Sequence, residues 1–420
     1  MSADALLSGG RPGAFLLATL LGACGGPGTT TKRADAGKPV DTGATHSGGE
    51  TGADTGPGSD SATDTAPPDT DTGTSPDPCG DPSVIPSFAH GSGPAITPVS
   101  TDEDHGSDNI YAPDIVRVSD SLCLLYHGAQ DARGHDQIFV ATSTDCHNWV
   151  PWPDRADPEP VLANGSSNHI NDPSVVVVGG TWFMYYTDAA TGIDDRIHLA
   201  TSTNGFNWTA QGEVLGVGAA GSWDFLKVGR PSVVRRDGAF WLYYDGQDGT
   251  ARHVGLATSS DGRSFTRHAA NPLLLNAGAM DVERIGDTWV LVHESWSGSY
   301  AATSADGLSW CDQGLVLGTS GGAWDSYGHV TPAVYTRDGS RFDALYFGGA
   351  SDSCWCRNRV GVALPTGDPT PPDPDAGCGG CVGGSDCTEA CRDGGHGVDG
   401  FCAVPGSSDP GACCACVAAP

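Results

Sequence analysis

Four times along the chain a proline leads into a β-branched run, with a polar or charged residue beside it. Asn171-Asp172-Pro173-Ser174-Val175 is the clearest case. Ala112-Pro113-Asp114-Ile115, Arg230-Pro231-Ser232-Val233 and Thr331-Pro332-Ala333-Val334 repeat it, and Ala279-Met280-Asp281-Val282 is a degenerate fifth copy. Asp114 and Asp172 bring carboxylates to these positions, and Glu283 and Glu294 follow later. Paired carboxyls, one protonated and one ionised, are what cleavage of a glycosidic bond requires. Asn171, Arg230, Trp223, Asp224, Asp245 and His329 fall at nearby strand ends and are the candidate substrate-binding residues. Aromatic rings would stack on sugar faces while polar groups fix the hydroxyls.

Such residues need a scaffold that brings distant segments to one face. Proline is tolerated as the first residue of a strand, so each copy marks a strand start. Aromatic second strands follow, such as Trp182-Phe183-Met184-Tyr185-Tyr186 and Phe240-Trp241-Leu242-Tyr243-Tyr244. Third strands end in a shared phrase, Ala141-Thr142-Ser143, Ala200-Thr201-Ser202 and Ala257-Thr258-Ser259. Turns with Asn-Gly or Asp-Gly come next, as at Asn204-Gly205, Asp261-Gly262 and Asp306-Gly307. Short fourth strands are expected at Pro160–Leu162, Glu213–Leu215, Leu273–Leu275 and Leu315–Leu317. The prolines lie 60 residues apart from Pro113 to Pro173 and 58 from Pro173 to Pro231. Four strands in that length make one propeller blade, so the expected fold is all-β, a five-bladed β-propeller. A β-sandwich with coincidental repeats is the alternative. The fifth repeat lacks a fourth strand, and Ile96-Thr97-Pro98-Val99 is placed to supply it and close the ring. Antiparallel connectivity then sets first-strand starts and second-strand ends at one face.

In these blades the chain resembles the five-bladed propeller glycosidases of glycoside hydrolase family 43, the arabinanases, β-xylosidases and α-arabinofuranosidases, with their invertase and levansucrase relatives. The Asp-Pro of Asp172-Pro173 and the Ala-Pro-Asp of Ala112–Asp114 carry the likeness, in inverted order. The resemblance implies hydrolysis of an arabinan, xylan or galactan type glycan. Asp172 or Asp114 would activate water, the other would tune it, and Glu283 or Glu294 would be the acid. Arg230 stands where the family places its acid, and arginine stays charged at neutral pH. The rival expectation is therefore a glycan-binding propeller without catalysis. No cofactor is required, and a central Ca2+ is the one ion the resemblance allows.

The remaining sequence gives organisation and address. The net charge of −30 offers no basic stripe for nucleic acid. Leu21-Gly22-Ala23-Cys24 ends a short apolar run and resembles a bacterial lipobox. That implies residues 1–23 as signal peptide, lipidation of Cys24, a membrane attachment through the lipid and a place on the bacterial outer membrane or cell surface. An ordinary cleaved signal peptide is the plainer alternative. Residues 24–83 are rich in Gly, Thr, Asp, Ser and Pro and read as a disordered acidic tether. The propeller is assigned to 84–364 and a linker to 365–377. Eight cysteines in 378–420 make a disulfide-rich module, with a zinc site through Cys378 and Cys381 as the sharper alternative.

Overall fold

A computed structural model describes residues 77–96, 109–130, 135–153, 158–163, 169–189, 195–353, 355, 357–366, 400–402 and 414–416. The lipobox, most of the tether and most of the cysteine-rich module lie outside them. Among the described residues no helix is long and apolar enough to cross a membrane.

The described fold is all-β. After a short strand β1 (Phe88–His90) come five antiparallel units. The first is β2 (Ile110–Ser119), β3 (Leu122–Gln130), β4 (Asp136–Ser143) and β5 (Val150–Pro151); the second is β6 (His169–Val178), β7 (Thr181–Ala189), β8 (Asp195–Ser202) and β9 (Thr209–Leu215). The third is β10 (Lys227–Arg236), β11 (Ala239–Gln247), β12 (Arg252–Ser259), β13 (Thr266–Arg267) and β14 (Leu274–Leu275). The fourth is β15 (Met280–Ile285), β16 (Thr288–Ser295), β17 (Gly298–Ser304) and β18 (Cys311–Gly318). The fifth is β19 (Gly328–Tyr335), β20 (Ala344–Ala350) and β21 (Arg359–Pro365). A pairing of Ser295 with His329 links the last two units into one sheet. Further on, β22 (Gly400–Cys402) pairs with β23 (Cys414–Cys416).

The fifth unit does borrow its outer strand from the N-terminal side, but from an earlier segment than expected. Phe88–His90 pairs with Ala363–Pro365, and Ile96 adds a single bridge to Val360. Residues 77–83, at the end of the expected tether, lie against the fourth unit: Ala305 donates to the Pro78 carbonyl and Cys79 is bonded to Cys311. In the first unit the outer edge is split between β5 and a bridge from Leu162 to Ile138.

The core is not inside the units but between them. One apolar cluster joins units one and two through Leu124, Met184 and Phe206, and another joins two and three through Tyr185, Val233 and Leu242. Tyr243 and Leu291 carry the three–four seam, and Val292 and Leu345 the four–five seam. Leu125 and Phe139 pack on Tyr335 and Tyr346, so the fifth unit meets the first. The aromatic second strands exist for these seams, because a sheet face wide enough to cover its neighbour needs large side chains.

Two sets of hydrogen bonds repeat the same cycle. Tyr126 donates to the Gly205 carbonyl, Tyr185 to Gly262 and Tyr243 to Gly307, each reaching the Asn-Gly or Asp-Gly turn of the next unit. Tyr346 of the fifth unit donates to the Cys146 carbonyl of the first. Nearer the axis, first strands are tied side chain to backbone. Val175 N–H donates to Asp114 at 3.1 Å, Val233 N–H to Ser174 at 3.0 Å, Val282 N–H to Ser232 at 2.9 Å and Val334 N–H to Asp281 at 2.8 Å. Ala333 has no acceptor at that position; instead Ala112 N–H donates to Thr331 Oγ1 at 2.9 Å.

Candidate active site

Each first strand is bent at one residue, and it is the same residue in all five copies. Ala112, Asp172, Arg230, Ala279 and Thr331 have φ between 40° and 53°. Four of them sit inside a bulge of the ladder, the exception being Ala279. A left-handed conformation at a non-glycine residue costs of order 1 kcal/mol. Here the bulge re-aims the strand heads around a small cavity of about 30 Å³. Asp114, Asp172, Arg230, Asp281 and Thr331 line it with the prolines that follow the bends.

Burial raises the pKa of both Asp114 and Asp172 in this cavity, and the one set beside an arginine is Asp172. It is 5% exposed, and burial raises its pKa to about 6 against the opposing pull of Arg230 and a hydrogen bond from Thr187. The Thr187 hydroxyl also accepts from Arg230 N–H at 2.8 Å, so it fixes acid and arginine together. Arg230 heads an alternating run of charges. Its Nη1 is 3.4 Å from Asp245 Oδ1 and 3.7 Å from Asp195 Oδ2. Lys227 is 3.3 Å from Asp195, Arg252 Nε is 3.2 Å from Asp245 Oδ2, and Arg252 Nη1 bonds Glu294. Burial opposes the charge of Arg230, and Asp245, Asp172, Asp195 and Glu294 more than restore it, so its pKa is raised. Asn171 lies beside Asp172 and donates to the Tyr111 hydroxyl at 2.6 Å.

The other candidates are placed differently. Asp114 lines the cavity, but its carboxylate is the pin that holds Val175 N–H, two residues further along its strand than Asp172 stands on its own. Glu283 is four residues past Ala279, the counterpart of Asp172. At strand rise that is roughly 13 Å deeper along the axis. Burial, then Asp281, raises the Glu283 pKa to about 8. Glu283 and Asp281 in turn push up the pKa of Asp114 at the cavity wall, after burial, so Glu283 stands within electrostatic reach of the cavity. Glu294 is tied to the site through its ion pair with Arg252 and its charge acting on Arg230.

Three of the expected sugar-binding residues are frame. The Trp223 indole stacks on Tyr244 and covers Gly246 and Gly255, where any Cβ would overlap it. Asp224 is 1% exposed and accepts from Arg267 Nε at 2.7 Å, Ser222 Oγ at 2.7 Å and Tyr244 OH at 3.1 Å. His329 is fully buried, stacked on Phe347 at 3.9 Å and bonded to Ser299 Oγ at 2.9 Å. Asp224 and His329 are thus enclosed, whereas Trp223 is half-buried. The central Ca2+ allowed by the resemblance does not fit either. The axial carboxylates Asp114 and Asp281 hold backbone N–H groups, and no metal-ligand cluster stands among the described residues.

Asp195, Lys227, Arg252 and Thr187 were not singled out in the sequence. The signal for two of them was available. Third strands begin at the face where second strands end, so the antiparallel rule extended by one strand points to Asp195 and Arg252.

Residues 155–339 match the family model described as β-1,4-mannooligosaccharide phosphorylase, glycoside hydrolase family 130. The match is thus to the mannoside phosphorylase model and not to the arabinanase and xylosidase family anticipated above. No curated protein matches the chain. Among solved structures, one named glycoside hydrolase is 16% identical, covers 69% of this chain and 96% of its own, and has a TM-score of 0.54. Zg3597, a family 117 glycoside hydrolase of the marine bacterium Zobellia galactanivorans, is 15% identical over 68% of this chain and 91% of its own, with a TM-score of 0.54. A third was reported with the finding that the family 130 mannoside phosphorylases contain hydrolases that target β-1,2 mannosidic linkages in Candida mannan. It is 18% identical over 69% of this chain and 96% of its own, with a TM-score of 0.50. At these identities the likeness is one of fold.

Proposed function

We propose that the chain is a five-bladed β-propeller enzyme that hydrolyses a mannosidic bond, with Asp172 as proton donor. The observation that carries this is Asp172 itself: a buried carboxyl at the cavity wall, raised to about 6, beside a fixed arginine. The cyclic seams support the propeller, and the family model over residues 155–339 supports the mannoside. The proton of Asp172 passes to the glycosidic oxygen as the C1–O bond breaks. Water bonds to C1 and gives its proton to a carboxylate on the arginine side, Asp195 or Asp245. This replaces the arabinan, xylan or galactan expectation.

The family model's description favours a second reading, in which inorganic phosphate attacks in place of water and no base is needed. The local charge weighs against it, because Lys227, Arg230 and Arg252 each already face a carboxylate. Incubation with β-1,4- and β-1,2-mannobiose, with and without phosphate, separates the two. Free mannose at a rate independent of phosphate is expected; mannose 1-phosphate formed only with phosphate would establish the second reading. No cleavage of either sugar would remove the enzyme reading and leave the glycan-binding one. Attachment to a bacterial surface through Cys24 is proposed on the sequence alone, and palmitate labelling lost in Cys24→Ala is its check.

A further inference from the structure

Beside this site stands a feature that cleavage does not use. Trp296 is 63% exposed, far more than a tryptophan with a packing role. It meets Tyr327 and Trp355 edge to face, with centroids 5.0 and 5.2 Å away, and Tyr327 and Trp355 are 5.2 Å from each other. The three rings come from three segments: the turn after β16, the approach to β19 and the loop after β20. The arrangement depends on Gly328. A Cβ there would lie 2.7 Å from the Ser295 carbonyl oxygen, 2.9 Å from Trp296 Cα and 3.0 Å from the Trp355 ring.

Position and chemistry both point to a sugar. Trp296 is two residues beyond Glu294, which bonds Arg252 and so joins the charged run that reaches Arg230 and Asp172. The end of β16 and the start of β19 belong to the same face as the bent strand heads. Hydroxyls flank Trp296 along the chain: Ser297 Oγ is 3.2 Å from Ser295 Oγ and 3.4 Å from Tyr300 OH. An aromatic face flanked by hydroxyls suits the apolar face and the hydroxyl edge of a pyranose.

We infer that Trp296, with Tyr327 and Trp355 holding it, forms a distal subsite that stacks a sugar ring of the glycan whose bond lies at Asp172. The inference rests on the glycan-cleaving reading of that cavity. It makes the enzyme one that prefers chains to disaccharides, because the platform lies beyond the reacting bond. The test uses the full chain and mannooligosaccharides of two to six units. Trp296→Ala is expected to raise KM on the hexaose about tenfold, the worth of one aromatic contact, and to leave mannobiose turnover unchanged. Hexaose affinity by titration calorimetry, read without turnover in the Asp172→Asn background, is expected to weaken equally in Trp296→Ala and to be kept in Trp296→Phe. Hexaose binding and kinetics unaltered by Trp296→Ala would overturn the inference. Concentration-dependent self-association lost in that variant, with hexaose binding unaltered, would overturn it too, in favour of a contact between copies. Were no mannoside cleaved, calorimetric binding of a mannan-derived chain that is lost in Trp296→Ala and kept in Trp296→Phe would keep the platform while removing the catalytic reading.

Discussion

At Asp172 one residue carries three constraints. Its backbone is left-handed with φ at 51°, its side chain is buried, and its neighbours are Arg230 and Thr187. The bend turns the carboxyl out of the strand and toward the cavity, and burial keeps the proton on it longer than in water. The sign of the pH dependence follows. The donor must be protonated, so activity is expected to fall about tenfold per unit once the pH exceeds about 6, where the Asp172 proton is lost. Asp172→Asn should lower kcat by at least about a hundredfold while the protein still folds. A kcat profile flat from pH 5 to 8, or an active Asn variant, would take the proton donor role away from this residue.

The strands are organised by what their neighbours need. Asp281 accepts from Val334 N–H at 2.8 Å and from Ser232 Oγ at 2.8 Å, so one carboxylate ties units three, four and five. Asp281→Ala would leave a buried N–H and a hydroxyl without an acceptor. The expected loss is about 2–4 kcal/mol in denaturant unfolding. Tyr185→Phe removes one reach to Gly262 and should cost about 1 kcal/mol. If Asp281→Ala unfolds at the same denaturant concentration as the parent, the axial pins hold nothing. Asp114, so similar to Asp172 in sequence, carries such a pin as well as a place on the cavity wall. It stands at the position of Ser174, Ser232 and Asp281, whose common task is to hold the next strand.

Across the whole molecule, closure depends on segments remote in sequence. The N-terminal strand completes the fifth unit, and the bond between Cys79 and Cys311 spans 232 residues. A crosslink over so long a loop removes much of the unfolded chain's freedom, about 2–5 kcal/mol by the loop-entropy account. Replacing both cysteines by serine should lower the melting temperature by several degrees, about 2–4 °C per kcal/mol at this size. An unchanged melting curve would mean that β1 holds its place without the crosslink.

Much of this architecture was legible in the chain. Four proline-led runs with a fifth degenerate copy, aromatic second strands and Asn-Gly or Asp-Gly turns are local features, written in neighbouring residues, and they fixed the strand count per repeat and the strand that closes the fifth unit in kind. The residue of that closing strand was missed, because Ile96 and Phe88 are equally apolar and only pairing with Ala363–Pro365 distinguishes them. The site was half legible. Antiparallel geometry makes strand ends converge, which is why Asp172, Arg230 and Asp245 could be expected near one another. At Trp223 the sequence could not show the packing over Gly246 and Gly255, because an aromatic near a site reads the same whether it faces a ligand or a glycine. By itself the sequence determined which residues begin each strand, since proline and β-branching act on their own backbone. Only the tertiary structure decided which of the carboxylates keeps its proton beside an arginine, because burial and pairing arise between strands some sixty residues apart.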